Sequence, residues 1–326
     1  MRRVIVALAA AAMLGAGVAA CGSDGGGSGA GAKGSKGAVA MSFGGSTIAL
    51  WNDEINLMRP MIEKAGYKFL VDDPQFKVQK QVQDWQAWIA QGEVKAIMGW
   101  PIQVDALIPV TKQATAAKIP VLGYAVAWDG VKGSLLTKPE EDGGRMADEA
   151  VAWIKKTYGD KPVEVAVLSD ESNDLTRLRV DGIYNGVKAG APNAQVVKVP
   201  ALTLEDGFNA AKRQLTAHPD TKVWLSYSND NLKGVYKALM DAHVKKDDPN
   251  YLLAGMDVTN QDLNLIRIPD SIYRLAFAFR STVLAKVNAD LLIKAASGQP
   301  VKDVYVSFEK VTADNAKQFY VGNGNK

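Results

Sequence analysis

From residue 38 onward, short runs of apolar and β-branched residues alternate with longer segments whose apolar positions recur at helical spacing. The short runs predict strands over 38–43, 67–71, 96–98, 121–124, 164–168, 196–199, 222–227, 252–256, 272–277 and 304–308. The longer segments predict helices over 48–65, 78–91, 104–118, 140–158, 176–189, 204–218, 232–243 and 282–296. Local punctuation agrees with these limits: Ala65-Gly66 and Lys118-Ile119-Pro120 close helices just before strands, and Asn229-Asp230 is placed to cap a helix beginning near Asn231. One strand–helix series fills about 38–136 and a second about 164–256. The expectation is therefore an α/β protein with two doubly wound parallel sheets, each offering ligand chemistry at the carboxyl ends of its strands. The strand, long helix and strand after Met256 suffice to cross back between the two halves and are too few for a third domain.

The first twenty residues break this pattern. Arg2 and Arg3 precede seventeen uncharged, mostly small or apolar residues, Val4 to Ala20, which reads as a secretory leader. Val18-Ala19-Ala20-Cys21 resembles a bacterial lipobox, whose cysteine is lipidated and becomes the first residue of the mature chain. An ordinary leader with a cysteine near its cut, or a retained membrane helix, are the alternatives. Cys21 is the only cysteine, so an internal disulfide is excluded. Gly22 to Gly37 holds eight glycines in sixteen residues, a flexible tether with an r.m.s. span of roughly 20–24 Å. Within it, Gly29-x-Gly31-x-x-Gly34 has dinucleotide-site spacing but follows no strand and opens no helix, so that reading is rejected.

Length, at 326 residues, and 47% hydrophobic composition fit a soluble protein of about two domains. The formal charge of +3 becomes +1 without Arg2 and Arg3, which gives no footprint for nucleic acid. Catalytic patterns are missing: no GxSxG, GxxxxGK[ST] or HExxH string occurs. The two histidines, His218 and His243, sit near helix ends and belong to no metal-spaced cluster. No metal, cofactor or enzymatic activity is expected. What stands out is aromatic and polar residues at strand ends: Trp51, Trp100, Trp128, Asn229-Asp230 and Asp257. Indole faces pack on sugar C–H patches while carboxylate, amide and guanidinium groups hydrogen-bond hydroxyls, so these residues are candidates for a shared ligand cleft. Each tryptophan taken alone reads equally well as core.

Several strings carry a resemblance. "AGYKFLVDD", "AAKIPVLG", "TRLRVDGIYNGV", "LTAHPDTKVWLSYSND" and "LLAGMD" occur in the order seen in the periplasmic sugar-binding proteins of ABC importers, the ribose-binding branch of the type I solute-binding fold. The resemblance runs over most of 38–319. It implies two lobes joined by three crossings: an N-terminal lobe of 38–137 plus 280–304 and a C-terminal lobe of 138–279 plus 305–326. It implies a sugar-contacting arginine at Arg179, with Arg177 about 200° away around the helix and so unable to face the same ligand. It implies strand-end ligand contacts at Asn229, for which an N-cap role competes, and at Asp257, which also suits a turn cap. The crossing strand aligns Phe279 or Arg280 with a polar hinge contact, and Arg280 is preferred. The first lobe departs from the family: Ile48, Leu50 and Trp51 stand where an Asn and two Phe are usual, and Ala125-Val126 replaces an Asp-Arg pair, which Trp128 or Asp129 reaches only with a local shift.

The resulting expectation is a monomeric, exported substrate-binding protein, lipid-anchored through Cys21 on the outer face of a bacterial cytoplasmic membrane. It captures a monosaccharide or sugar alcohol between its lobes and delivers it to the membrane subunits of an ABC permease. The alternatives are a ligand-presenting receptor for chemotaxis or sensor signalling and, with less support, a secreted carbohydrate-active enzyme. A repressor of this fold would need a DNA-reading helix-turn-helix where this chain has a leader and glycines.

Overall fold

The computed structural model describes residues 35–171 and 174–322. The leader, Cys21 and the tether as far as Gly34 lie outside the described residues. The described residues from Ser35 onward belong to one compact unit. The last residues of the expected tether are tied down: Lys36 N donates to Gly66 O and Lys68 N to Gly37 O, both at 2.9 Å.

The elements follow in the order β1 (Ala38–Ser42), α1 (Ala49–Lys64), β2 (Lys68–Val71), α2 (Val78–Gln91), β3 (Val94–Gly99), α3 (Val104–Ala116), β4 (Val121–Ala125) and β5 (Ser134–Leu136). A second series holds α4 (Pro139–Tyr158), β6 (Val163–Ser169), α5 (Asp174–Gly190), β7 (Ala194–Pro200), α6 (Leu204–Ala217), β8 (Thr221–Ser226), α7 (Asn229–Asp241), β9 (Leu252–Met256), α8 (Asn260–Ile266) and β10 (Tyr273–Ala278). The chain ends with α9 (Ser281–Ala296), β11 (Val304–Tyr305), β12 (Glu309–Val311) and a 3₁₀ turn, Ala316–Phe319.

Two six-stranded sheets result, ordered β11-β5-β4-β3-β1-β2 and β12-β10-β9-β8-β6-β7. Every pairing is parallel except that of β10 with β12. Both sheets are covered on two faces, which is why their central strands read as unbroken apolar runs. In β1, Val39 and Met41 pack with Met58, Ile62 and Leu284 of α1 and α9, while Ala38 and Ala40 join Trp85 and Leu107 of α2 and α3. In β6, Val165 and Val167 face Met146 and Ile183, and Ala166 and Leu168 face Val235 and Leu263. In each sheet the strand order reverses around the first strand, β2-β1-β3 and β7-β6-β8, and a ligand crevice is expected outside the carboxyl ends there.

The chain passes between the sheets after Leu136, after Ala278 and after Tyr305. The expected strand over 304–308 is divided: Val304–Tyr305 joins the first sheet and Glu309–Val311 pairs antiparallel in the second. At this crossing Asp142 Oδ1 accepts from Phe308 N at 3.1 Å, Arg145 donates to Phe308 O at 2.7 Å, and Phe308 stacks on Phe279 at 4.1 Å. A further link runs along the C-terminus: Asn260 holds Val321 through both backbone groups, and Gly322 N donates to Asp53 of α1 at 2.9 Å. No helix among the described residues is long and apolar enough to cross a membrane.

Candidate functional site

The carboxyl ends of both sheets border one cavity of about 800 Å³, inside the range of about 300–1,000 Å³ usual for small-molecule sites. Trp51, Trp100, Arg179, Asn229 and Asp257 all line it.

On the first lobe, the turn after β1 is fixed by Asp73, which accepts from Ser46 N at 3.1 Å and Ser46 Oγ at 2.8 Å. α1 then starts without a side-chain cap, and Ile48, Leu50 and Trp51 at its start line the cavity. Trp51 stacks on Phe43 at 5.2 Å and tilts against Trp100 at 5.1 Å. Trp100 is pinned by its own backbone, its N–H donating to Ser42 O at 2.8 Å and its carbonyl accepting from Gln81 at 2.8 Å. Behind this wall Tyr124 donates to the buried carboxyl of Glu54 at 3.0 Å, and Asn288 donates to its other oxygen. Burial pushes Glu54 up to about 7, with the Asn288 and Tyr124 hydrogen bonds pulling the other way.

On the second lobe, Arg179 is 8% exposed and projects from α5. Its Nη1 donates to Asp257 Oδ2 at 2.8 Å and to Tyr227 O at 3.2 Å, and its guanidinium lies 4.8 Å from the Phe308 ring centroid. Asp257 follows β9 with φ +55°, a left-handed turn that aspartate tolerates better than most residues. Its side chain remains half exposed, so the Arg179–Asp257 pair presents charge to the cavity rather than hiding it. Arg177, as helical geometry predicts, points elsewhere and pairs with Asp174 and Asp181. Asn229 is the first residue of α7 and Ser228 is its N-cap, so the capping role expected of Asn229 falls one residue earlier. Freed from capping, the Asn229 amide donates at 2.8 Å to Asp262, itself the reciprocal acid of the α8 capping box.

Two expected site residues are elsewhere. Trp128 is 8% exposed in the outer core of the first lobe, 6.4 Å from the Trp85 ring, with its Nε1 donating to Thr111 at 2.9 Å. After Ala125, at φ +67°, the chain turns back along α3, carrying Trp128 away from the cavity, and Asp129 ends beside Lys112. Arg280 precedes α9 and pairs with Glu309 at 2.7 Å, outside the cavity. Phe279, the other aligned residue, takes the cavity-facing position.

Sequence reasoning missed Leu175, Lys233 and the tail residues Phe319 and Val321, which also line the cavity. The apolar "FYV" string at 319–321, beyond the last expected strand, was the available signal for the tail. A second hollow of about 670 Å³, lined by Lys95, Lys118 and Lys132, lies at the amino ends of β3 and β4. It has no aromatic wall and no opposing lobe. No group of His, Cys, Asp or Glu among the described residues could hold a metal ion.

A family model for the periplasmic binding protein domain matches residues 39–300. The L-arabinose-binding periplasmic protein of an ABC transporter from Azospirillum brasilense is 30% identical over 112 residues, covering 32% of this chain and 34% of that protein. The galactofuranose-binding protein YtfQ of Escherichia coli (strain K12) is 25% identical over 202 residues, covering 59% of this chain and 62% of that protein. The matched stretch thus spans less than two thirds of either relative. Among solved structures, AraP, an arabinose-binding protein from Geobacillus stearothermophilus, superposes with a TM-score of 0.75 at 20% identity, over 88% of this chain and 100% of that one. At that identity the likeness is one of fold.

Proposed function

The chain belongs to the periplasmic binding protein domain family, and from that premise we propose that it is a sugar receptor serving an ABC importer. The observation that carries this reading is the convergence of Trp51 and Trp100 from one lobe with Arg179, Asn229 and Asp257 from the other on one cavity. Stacking surface on one side and a paired guanidinium and carboxylate on the other are the chemistry that holds a ring and its hydroxyls. A ligand touching both walls stabilises the closed arrangement over the open one, and closure is the signal a permease reads. The names of the arabinose- and galactofuranose-binding relatives support a monosaccharide-sized ligand.

The leader and Cys21 support export and lipid anchoring. Metabolic labelling with a fatty-acid probe tests the anchor, and label that survives Cys21→Ser would place the attachment elsewhere. For the ligand, a thermal-shift screen over aldoses, ketoses, sugar alcohols and inositols should raise the melting temperature with at least one compound. Calorimetry with that compound should then show binding lost in Arg179→Ala. Silence across the panel, or full binding by the variant, removes the assignment.

A further inference from the structure

The cavity is chemically two-sided, and the two sheets allow its walls to be compared position by position. β4 and β9 stand third in their respective sheet orders, and at the end of each a left-handed residue lines the cavity: Ala125, the last residue of β4, at φ +67° and Asp257, the residue after β9, at φ +55°. Such a turn suits Asp or Asn, whose short polar side chains hydrogen-bond locally, and it gives alanine no advantage. On the second lobe the position carries a carboxylate bonded to Arg179. On the first, the same backbone geometry carries only a methyl group.

The surrounding walls differ in charge: the second lobe also brings apolar Leu175, Val258, Phe319 and Val321, but it alone brings charged groups. Second-lobe residues supply every charged side chain of the lining, Arg179, Asp230, Lys233 and Asp257. The first-lobe wall has Ile48, Leu50, Ala125 and Leu135 around the two indoles. Its hydroxyls are those of Thr47, of Thr137 at the crossing, and of Tyr124, which donates to Glu54. A hydroxyl pressed on that wall would lose its water partners and find few replacements, whereas a methyl or methylene there gains from burial.

Resting on the sugar-receptor reading, we infer that the preferred ligand is a sugar with an unhydroxylated carbon edge, a deoxy or terminal-methyl position, turned toward Ala125, Ile48 and Leu50. Its hydroxyls face Arg179, Asn229 and Asp257. Ala125 is then a specificity-determining residue: placing a carboxylate there adds an acceptor at a backbone position that aspartate tolerates.

Matched pairs test this by calorimetry on the full chain: fucose against galactose, rhamnose against mannose, 2-deoxyribose against ribose, and methyl glycosides against free sugars. The deoxy or methylated member of at least one pair should bind about tenfold or more tightly than its partner. Ala125→Asp should shrink or reverse that ratio at an unchanged melting temperature. Leu50→Asn, which leaves the turn alone, should move it the same way. Equal or tighter binding of the fully hydroxylated member in every pair that binds, or binding of hydroxylated sugars and polyols alone, overturns the inference and leaves the receptor reading intact. Silence from all sugars and polyols overturns both.

Discussion

Glu54 is a fully buried carboxyl held by one phenol and one amide, and burial raises it from 4.5 to about 7. The folded chain therefore keeps a proton there that the unfolded chain releases. The sign follows: this group subtracts stability progressively as pH rises from about 4.5 to about 7, with the loss complete above 7. Its size is at most about 3 kcal/mol at 1.36 kcal/mol per pKa unit. Asp72, raised to about 7, and Asp142, raised to about 6, titrate in the same window, so only a comparison of variants isolates Glu54. Urea melts should find Glu54→Gln close to the parent at pH 4.5 and more stable by about 2–3 kcal/mol at pH 8. An equal loss at both pH values would mean that the carboxylate, not the neutral acid, is the native form. None of this was legible beforehand, because nothing in the string around Glu54 says that Tyr124 and Asn288 close over it. Arg179 was legible through the helix string that bears it and the 200° separation from Arg177. Trp128 was misplaced for a local reason: a single left-handed residue, Ala125, reverses the chain, and a one-residue turn leaves no periodic trace.

Helix pairs position the polar wall. α4 and α5 approach so closely that a Cβ on Gly182 would lie 2.1 Å from Glu140 O, and one on Gly143 would lie 2.3 Å from Arg179 O. These glycines set the depth at which α5 delivers Arg179. Gly182→Ala should cost about 1–3 kcal/mol through overpacking and weaken ligand binding along with stability. Gly144→Ala, on the same helix as Gly143 but with open space around its Cβ, should stabilise by roughly 0.5–1 kcal/mol and leave binding alone. Similar effects from the two variants in chemical denaturation would remove the packing argument. Long periodic segments such as α2 and α6 and the fully buried strands were readable because burial on both sheet faces imposes an apolar run. β5, β12 and α8 were not read. β5 and β12 have three residues each and α8 has seven, too few for a period to emerge. The one cue for α8 was its capping box, Thr259 with Asp262 three residues on, whose acid also receives the Asn229 amide.

At the scale of the whole molecule, three backbone crossings join the two lobes, and the tail adds a fourth link of another kind. Val321 is held by Asn260 on the second lobe while Gly322 donates to Asp53 on the first, and Phe319 and Val321 line the cavity between them. Alternating strands and helices announce a two-sheet protein, but one backbone N–H meeting one carboxylate has no pattern by which a sequence could reveal it. Asp53 also accepts from Ser281 Oγ at the start of α9, so Asp53→Ala cuts a bond inside the first lobe as well, and Ser281→Ala, which removes that bond alone, is the control. Relative to that control, Asp53→Ala should give the ligand-free protein a larger radius of gyration by small-angle scattering. One solvent-exposed hydrogen bond between the lobes biases the open–closed balance by about 0.5–1.5 kcal/mol, so affinity for the sugar identified by screening should fall about two- to tenfold if the bond is kept on closure, through a smaller closed population. Because Asp53 does not line the cavity, the enthalpy of contacts made in the closed state should be retained, and the loss should vanish in a variant locked shut by a disulfide across the cleft mouth. A radius of gyration equal to the control's would show that the three crossings alone set the angle.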